Sequence, residues 1–349
     1  MTTKWVLFIG TAYMDIYKDI IEGFNLLGYN VDYIKELSSP KDPYNQRGYK
    51  GFKRLLLVKE KKYLKCVDDY WKKVLQESPY NKRYDILFVL DGQSISPIIF
   101  SELRSRNKKI QCINYLFDTN QFVYRFDKSF KYFDRVYTFD IAESKKYNIY
   151  HLPIYWKRES AGINKNDIFA FGGYTFKRFC LFESIHRIAK DLGLSSFIKI
   201  YTNPIIKRSG IKASIDRIYN VITKAEASVP LFLIDSEFNT NLRLSPLEFR
   251  KKISESRIII DTAVEQQDGL TARFMWALGA EKKIITNNIH VKEYPFYTRN
   301  QVYIIDDIEG IDEMGLRDFI TKEFTMEETV REAIRLYRID NWLNYMIMQ

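Results

Sequence analysis

Three groups of residues have the types and spacing to do chemistry. The first is Gln267, Asp268, Gly269, Leu270, Thr271 and Arg273, set between a strand-like run, Arg257 to Asp261, and a helix-like run, Ala272 to Leu278, which Gly279 is expected to end. Ligands of open α/β sheets bind beyond the carboxyl ends of the strands, where helix N-termini offer unpaired N–H groups to phosphate. Gln267 and Thr271 suit hydroxyl or phosphate oxygens and Arg273 suits phosphate. Gly269 either lets the backbone press on a ligand or only permits a tight βαβ turn. The second group, Gly172-Gly173-Tyr174 with Arg178, follows another strand and opens another helix, so a diphosphate can meet its backbone and one guanidinium. The third is spread over Gly10-Thr11-Ala12-Tyr13, Asp91-Gly92-Gln93 and Asp118, each after a strand-like run. A hydroxyl nucleophile needs a positioned general base, a role open to Asp118 or Asp91, and each aspartate can equally cap a helix or close a turn.

The elements that must position these residues alternate. Trp5 to Gly10, Val31 to Ile34, Asp85 to Asp91, Ile110 to Leu116 and Arg135 to Phe139 read as strands, with helices at Ile16 to Leu27 and Pro97 to Arg106. After the Pro-marked His151 to Trp156 the pattern restarts, with strands at Asp167 to Gly172, Phe197 to Tyr201, Leu231 to Ile234, Arg257 to Asp261, Lys283 to Thr286 and Val302 to Ile305. Near-continuous apolar strands between helices imply parallel sheets covered on both faces. The economical reading is α/β, two Rossmann-like halves with a hinge near residue 160. Thr325-Met326-Glu327-Glu328 forms a capping-box pattern ahead of a last helix with Val330, Ile334 and Tyr337 on one face.

Composition narrows the class. With 349 residues and a 46% hydrophobic fraction the chain builds two cores, and its apolar runs fall short of the ~20 residues of a membrane-spanning helix. No secretion signal is visible, and Cys66, Cys112 and Cys180 are isolated, which fits a reducing cytoplasm. A net charge of +10 favours an anionic partner. A nucleic-acid binder would want a continuous basic stripe rather than strand-end clefts, so nucleic acid is not the expected partner. Residues 49–73 form a basic amphipathic segment, with Leu57, Leu64, Val67 and Trp71 on one face and Lys59, Lys62, Lys72 and Lys73 largely elsewhere; it suits either an anionic bilayer surface or an ordinary core helix. Asp-x-Asp, Gly-x-Gly-x-x-Gly, Gly-Lys-Ser/Thr and Gly-x-Ser-x-Gly are missing, and His151, His186 and His290 lack zinc spacing, so neither a metal nor another cofactor is expected.

The stretches SESRIIID (254–261), QDGLTAR (267–273) and ALGAEKKIITNN (277–288) resemble the carboxyl-terminal signature of bacterial glycosyltransferases that make lipopolysaccharide, O-antigen and capsule, a group related to spore-maturation-type glycosyltransferases. YDILFVLDGQSISP (84–97), NYLFDT (114–119), residues 133–155 and DIFAFGGYTFKR (167–178) extend the similarity over both halves. The resemblance implies a GT-B fold, with residues 1–158 an acceptor domain, 159–325 a nucleotide-sugar domain and 326–349 a helix packing back toward the first. It implies a sugar-nucleotide donor, held by Gly172, Gly173, Tyr174, Arg178, Glu265, Gln267, Asp268, Gly269, Leu270, Thr271 and Arg273. Gly10, Thr11, Tyr13 and Gln93 would line the acceptor side, for a saccharide or lipid-linked saccharide. One position departs: the Glu that the group usually carries before Ala-Leu-Gly, where the ribose would be gripped, is Trp276 here, with Glu265 or Asp268 as replacements. A catalytically inactive relative that still binds a sugar nucleotide is the alternative this departure raises.

Overall fold

The computed structural model describes residues 4–12, 15–36, 60–120, 123, 127–157, 164–202, 236–263, 267–308 and 310–349, without the side chains of 60–63 and 246. Tyr13, Lys59, Glu265 and the strand expected at Leu231 to Ile234 lie outside these residues, as does the 49–59 part of the basic segment.

Among the described residues two all-parallel, six-stranded sheets divide the chain. The first has the order β2-β1-β3-β4-β5-β6, with β1 Lys4–Gly10, β2 Tyr29–Lys35, β3 Ile86–Leu90, β4 Gln111–Leu116, β5 Arg135–Thr138 and β6 Tyr150–His151. Its helices are α1 Ile16–Leu26, α2 Glu60–Gln76, α3 Pro97–Arg106 and α4 Ile141–Tyr147. The second has the order β12-β11-β10-β7-β8-β9, with β7 Asn166–Gly173, β8 Ser196–Tyr201, β9 Asn239–Thr240, β10 Ser256–Asp261, β11 Lys283–Thr286 and β12 Val302–Ile304. α5 Phe176–Asp191, α6 Pro246–Ser254, α7 Ala272–Gly279 and α8 Glu313–Thr321 belong to it, and α9 Glu328–Ile334 and α10 Ile339–Met348 end the chain. The two-residue strands β6 and β9 are too short for a periodicity signal.

Register follows from apolar content. Leu7 to Ile9 and Ile86 to Leu90 are buried throughout because helices cover both faces of the sheet. In α2, Val67, Trp71 and Leu75 face the core and the Trp71 indole donates to Ser94 O at 2.8 Å, so its apolar face is spent inside the protein. No helix among the described residues is long and apolar enough to cross a membrane.

A hydrophobic core runs between the two sheets rather than stopping at their junction. Phe139 and Tyr155 of the first half share it with Leu270, Phe274 and Phe296 of the second. Beside it, Arg250 of α6 donates to Asp19 of α1 at 2.9 Å, both side chains being almost fully buried, while the Tyr155 hydroxyl donates to the same Asp19 oxygen at 3.2 Å. The C-terminal region holds two helices instead of the single one expected. α9 begins after Glu327 with no side-chain cap, so Thr325 does not form the capping box, although Val330, Ile334 and Tyr337 are buried. α10 lies on the first sheet: the Trp342 ring packs on Tyr115 at 4.5 Å and its indole N–H donates to Pro153 O at 2.9 Å.

Gly279 does not end its helix by a left-handed turn. The chain leaves the helix after Ala280, with Glu281 at φ 56°, and the glycine is there because a Cβ would lie 2.5 Å from the Trp156 ring.

Candidate functional site

At the carboxyl end of β10 the buried Asp261 accepts hydrogen bonds from Thr271 Oγ1 at 2.6 Å and Thr286 Oγ1 at 3.3 Å, and pairs with Arg273 at 3.4 Å. The next residue, Thr262, accepts from Arg178 Nε at 2.7 Å and from Arg273 Nη1 at 3.4 Å. Among the described residues two guanidinium groups therefore converge on one strand end beside the Asp261 carboxylate. Burial and then the Arg273 charge pull Arg178 down to about 10, with Asp261 acting in the opposite direction. Two like charges held close together and partly away from water are stabilised by an anion.

Arg178 is aimed by its own turn. Thr175 caps α5 by accepting from the Arg178 N–H at 3.1 Å, and the guanidinium bends back to donate to Gly173 O. A Cβ at Gly172 would sit 2.9 Å from Arg178 Nε, so glycine there lets the side chain lie across the strand end. Gly173 faces open space, exposing its backbone, and Tyr174 is half-buried against the outer core of the second sheet.

A cleft of about 470 Å³ opens beside this pair, built wholly from the second half. Ala263, Gln267 and Asp268 line it after β10, residues 287–290 after β11 and residues 305–308 after β12, with Phe176 and Lys177 entering from the start of α5. His290 stands between two carboxylates, Nδ1 at 2.6 Å from Glu293 and Nε2 at 3.4 Å from Asp268.

The Gly269 loop has another neighbour than the one expected. Asp140, at the end of β5 in the first half, accepts the N–H groups of Asp268 at 2.9 Å and Gly269 at 3.0 Å with one oxygen and caps α4 with the other, from Glu143 N–H at 2.9 Å. A Cβ at Gly269 would lie 2.5 Å from the Phe139 ring and 2.6 Å from Phe139 O. The tight backbone approach thus joins the two halves. Leu270 is fully buried, and the Thr271 hydroxyl is spent on Asp261 and on capping α7 through Phe274 N–H at 3.1 Å. Trp276 is 4% exposed, edge-on to Phe249 and under the Arg250 guanidinium, so it fills the core where a ribose contact was considered. Of the first group, Gln267 and Asp268 reach the cleft, Arg273 stands at the strand end beside it, and the rest back them.

On the first half, Gly10 O accepts the Glu36 N–H at 2.8 Å and the Tyr33 hydroxyl at 2.9 Å, and Thr11 is half-buried. Gln93 is half-buried in a separate recess with Lys131 and Tyr132. Asp91 and Asp118 are brought together but differ. Asp91 is 7% exposed, and one of its oxygens accepts the N–H groups of Phe117 at 2.7 Å and Asp118 at 3.0 Å. Burial raises it well above the usual carboxylate range, and the charges of Asp118 and Glu36 add to this. Asp118 is exposed at the end of β4, one strand from β5, whose end carries Asp140 at the junction with the second half.

Sequence reasoning missed Thr262, Asp140, Asn288 and Glu36. Asp140 had a local signal, Asp140-Ile141-Ala142-Glu143, a D-x-x-E helix start. Asn288, which donates to Gly269 O at 3.1 Å, had none, since its partner is 19 residues away. Among the described residues no group of three or more His, Cys, Asp or Glu side chains is arranged to hold a metal ion.

Two parallel sheets with facing strand ends invite comparison with known structures. An α,α-trehalose-phosphate synthase (UDP-forming) from Burkholderia vietnamiensis aligns over 99% of this chain and 96% of its own, with a TM-score of 0.56 at 10% identity. The fold is GT-B. The UDP-GlcNAc 2-epimerase from Neisseria meningitidis, bound to UDP-GlcNAc, aligns over 99% of this GT-B chain and 100% of its own, with a TM-score of 0.50 at 9% identity. No family model and no curated protein matches the sequence.

Proposed function

We propose that the protein is a glycosyltransferase that takes its sugar from a nucleoside diphosphate donor and passes it to a hydroxyl of a surface-polysaccharide intermediate. The observation that carries this reading is the convergence of Arg178 and Arg273 on Thr262 and Asp261, beside a cleft of nucleoside size. The diphosphate sits on the two guanidinium groups, beside the exposed Gly173. The nucleoside enters the cleft, where Phe176 and Ile289, 63% and 50% exposed, offer apolar faces to a base. The sugar then points to the first half, because a group walled in by the second half alone would be out of an acceptor's reach. The structural neighbours, one a UDP-forming synthase and one bound to UDP-GlcNAc, support a nucleotide-sugar donor. The polysaccharide acceptor rests on the sequence resemblance.

Asp118 is the group assigned to proton transfer, since Asp91 is spent on two backbone N–H groups. It takes the acceptor hydroxyl proton as that oxygen bonds to the anomeric carbon. The bond from that carbon to the diphosphate oxygen breaks, and the arginines keep the leaving nucleoside diphosphate.

Titration calorimetry with UDP and UDP-sugars tests the site. Arg178→Ala and Arg273→Ala should each weaken binding about ten- to a hundredfold, the value of one charge-assisted hydrogen bond. Because the arginines supply the positive charge, EDTA should leave affinity unchanged. Unaltered affinity in both variants would reject the assignment.

A further inference from the structure

We propose that Glu36 is a positioning residue for Asp118, acting through Asp91 by holding the turn after β3. The inference rests on the assignment of Asp118 to proton transfer and adds a residue from a different strand.

Glu36 follows β2 and is 2% exposed. One oxygen accepts the Ser94 N–H at 2.8 Å and the Ser94 hydroxyl at 3.1 Å; the other accepts the Gly92 N–H at 3.3 Å. Its own N–H is tied to Gly10 O at 2.8 Å, so it stands as a fixed post between the ends of β1 and β3. The turn it holds is not relaxed: Asp91 and Gly92 have φ of 65° and 87°, and a non-glycine residue keeps such a φ only where its surroundings enforce it. In that conformation Asp91 reaches across to β4 and receives the N–H groups of Phe117 and Asp118. The path Glu36, Gly92, Asp91, Asp118 is thus continuous through hydrogen bonds and adjacent backbone, and it ends on the main-chain N–H of Asp118, an exposed residue.

The same path carries charge. Asp91 senses both Asp118 and Glu36, and burial raises Glu36 to about 7 despite its three donors. Among the described residues the other titratable groups bearing on the cluster are Tyr33 of β2, Tyr17 of α1 stacked on it at 4.5 Å, and Tyr115 of β4. Protonation of Glu36 replaces an acceptor with a donor opposite Gly92 or Ser94 N–H, so the turn loosens as pH falls through 7.

Amide and carboxyl NMR titrations of the full chain read this without any substrate. In the wild type, the Gly92 and Ser94 amides should shift with a midpoint near 7, and those of Phe117 and Asp118 should show an inflection at the same midpoint. In Glu36→Gln that shared inflection should vanish, and the Asp91/Asp118 carboxyl titration should move down by roughly one unit as a neighbouring charge is lost. Phe117 and Asp118 amides that ignore the Glu36 midpoint in the wild type overturn the proposal, and that measurement stands if the variant does not fold. UDP calorimetry on the same samples separates the two readings: Glu36→Gln should bind UDP normally, whereas a wild type that binds no nucleotide fails the donor assignment and leaves the carboxyl result to be judged alone.

Discussion

Burial sets the electrostatics of single residues here, and Glu36 is the clearest case. Its folded pKa of about 7 lies above the unfolded value of 4.5, so the group's contribution to stability is fully present below about 4.5 and is lost as pH rises through 7. The shift corresponds to roughly 3 kcal/mol at pH 8. Glu143, also raised to about 7 by burial, titrates in the same window, so the informative quantity is the difference between wild type and Glu36→Gln. Denaturant melts should show the variant gaining on the wild type between pH 5 and pH 8; parallel curves would contradict the burial of this charge. Trp276 gives a second test at this scale. With the ring in the core, Trp276→Glu buries an unpaired carboxylate near Phe249, and the variant should lose 3 kcal/mol or more of stability instead of gaining ribose affinity. The cation over the ring, Arg250, is already committed to Asp19 and offers the new charge little relief.

The elements were largely legible in the sequence, and the reason is periodicity. β11 and α3 appear with the residues expected, because an apolar run between helices and an N-cap Ser followed by Pro are local signals. Contacts between elements were not legible. Gly269 was read as a ligand-contacting or turn glycine and Gly279 as a helix terminus, yet both sit against aromatic side chains more than a hundred residues away, Phe139 and Trp156. The candidate site divides the same way: Arg178 was visible as a cation on a glycine turn, while Thr262, which draws it to Arg273, has no motif. These placements predict that Gly279→Ala destabilises the fold by about 1–3 kcal/mol even though alanine favours helix by nearly 1 kcal/mol, since a Cβ 2.5 Å from the Trp156 ring must displace the indole. Thermal melts that show stabilisation would mean the indole moves without cost.

For the whole molecule the question is whether the two sheets act as hinged halves or as one body. Two Rossmann-like halves joined by a short segment suggest independent unfolding, but the core crosses the junction and, among the described residues, polar ties flank it: Asp140 on the 268–269 backbone, Arg250 on Asp19, and the Tyr294 hydroxyl 3.3 Å from His151 Nε2. α10 fastens the chain terminus to the first sheet after its path has passed through the second. An interface this apolar couples the two unfolding equilibria, so calorimetry should show a single transition for the wild type. Among the described residues, Arg250→Ala leaves Asp19 buried with Tyr155 and the more distant Lys157, at 3.5 Å, for company. Removing one partner of a buried pair costs about 3–5 kcal/mol. Because that loss falls on the junction and not on either sheet, the variant should unfold in two steps, the second half melting apart from the first. A lower but still single transition would place the coupling in the shared apolar core alone and assign the ion pair no part in holding the halves together.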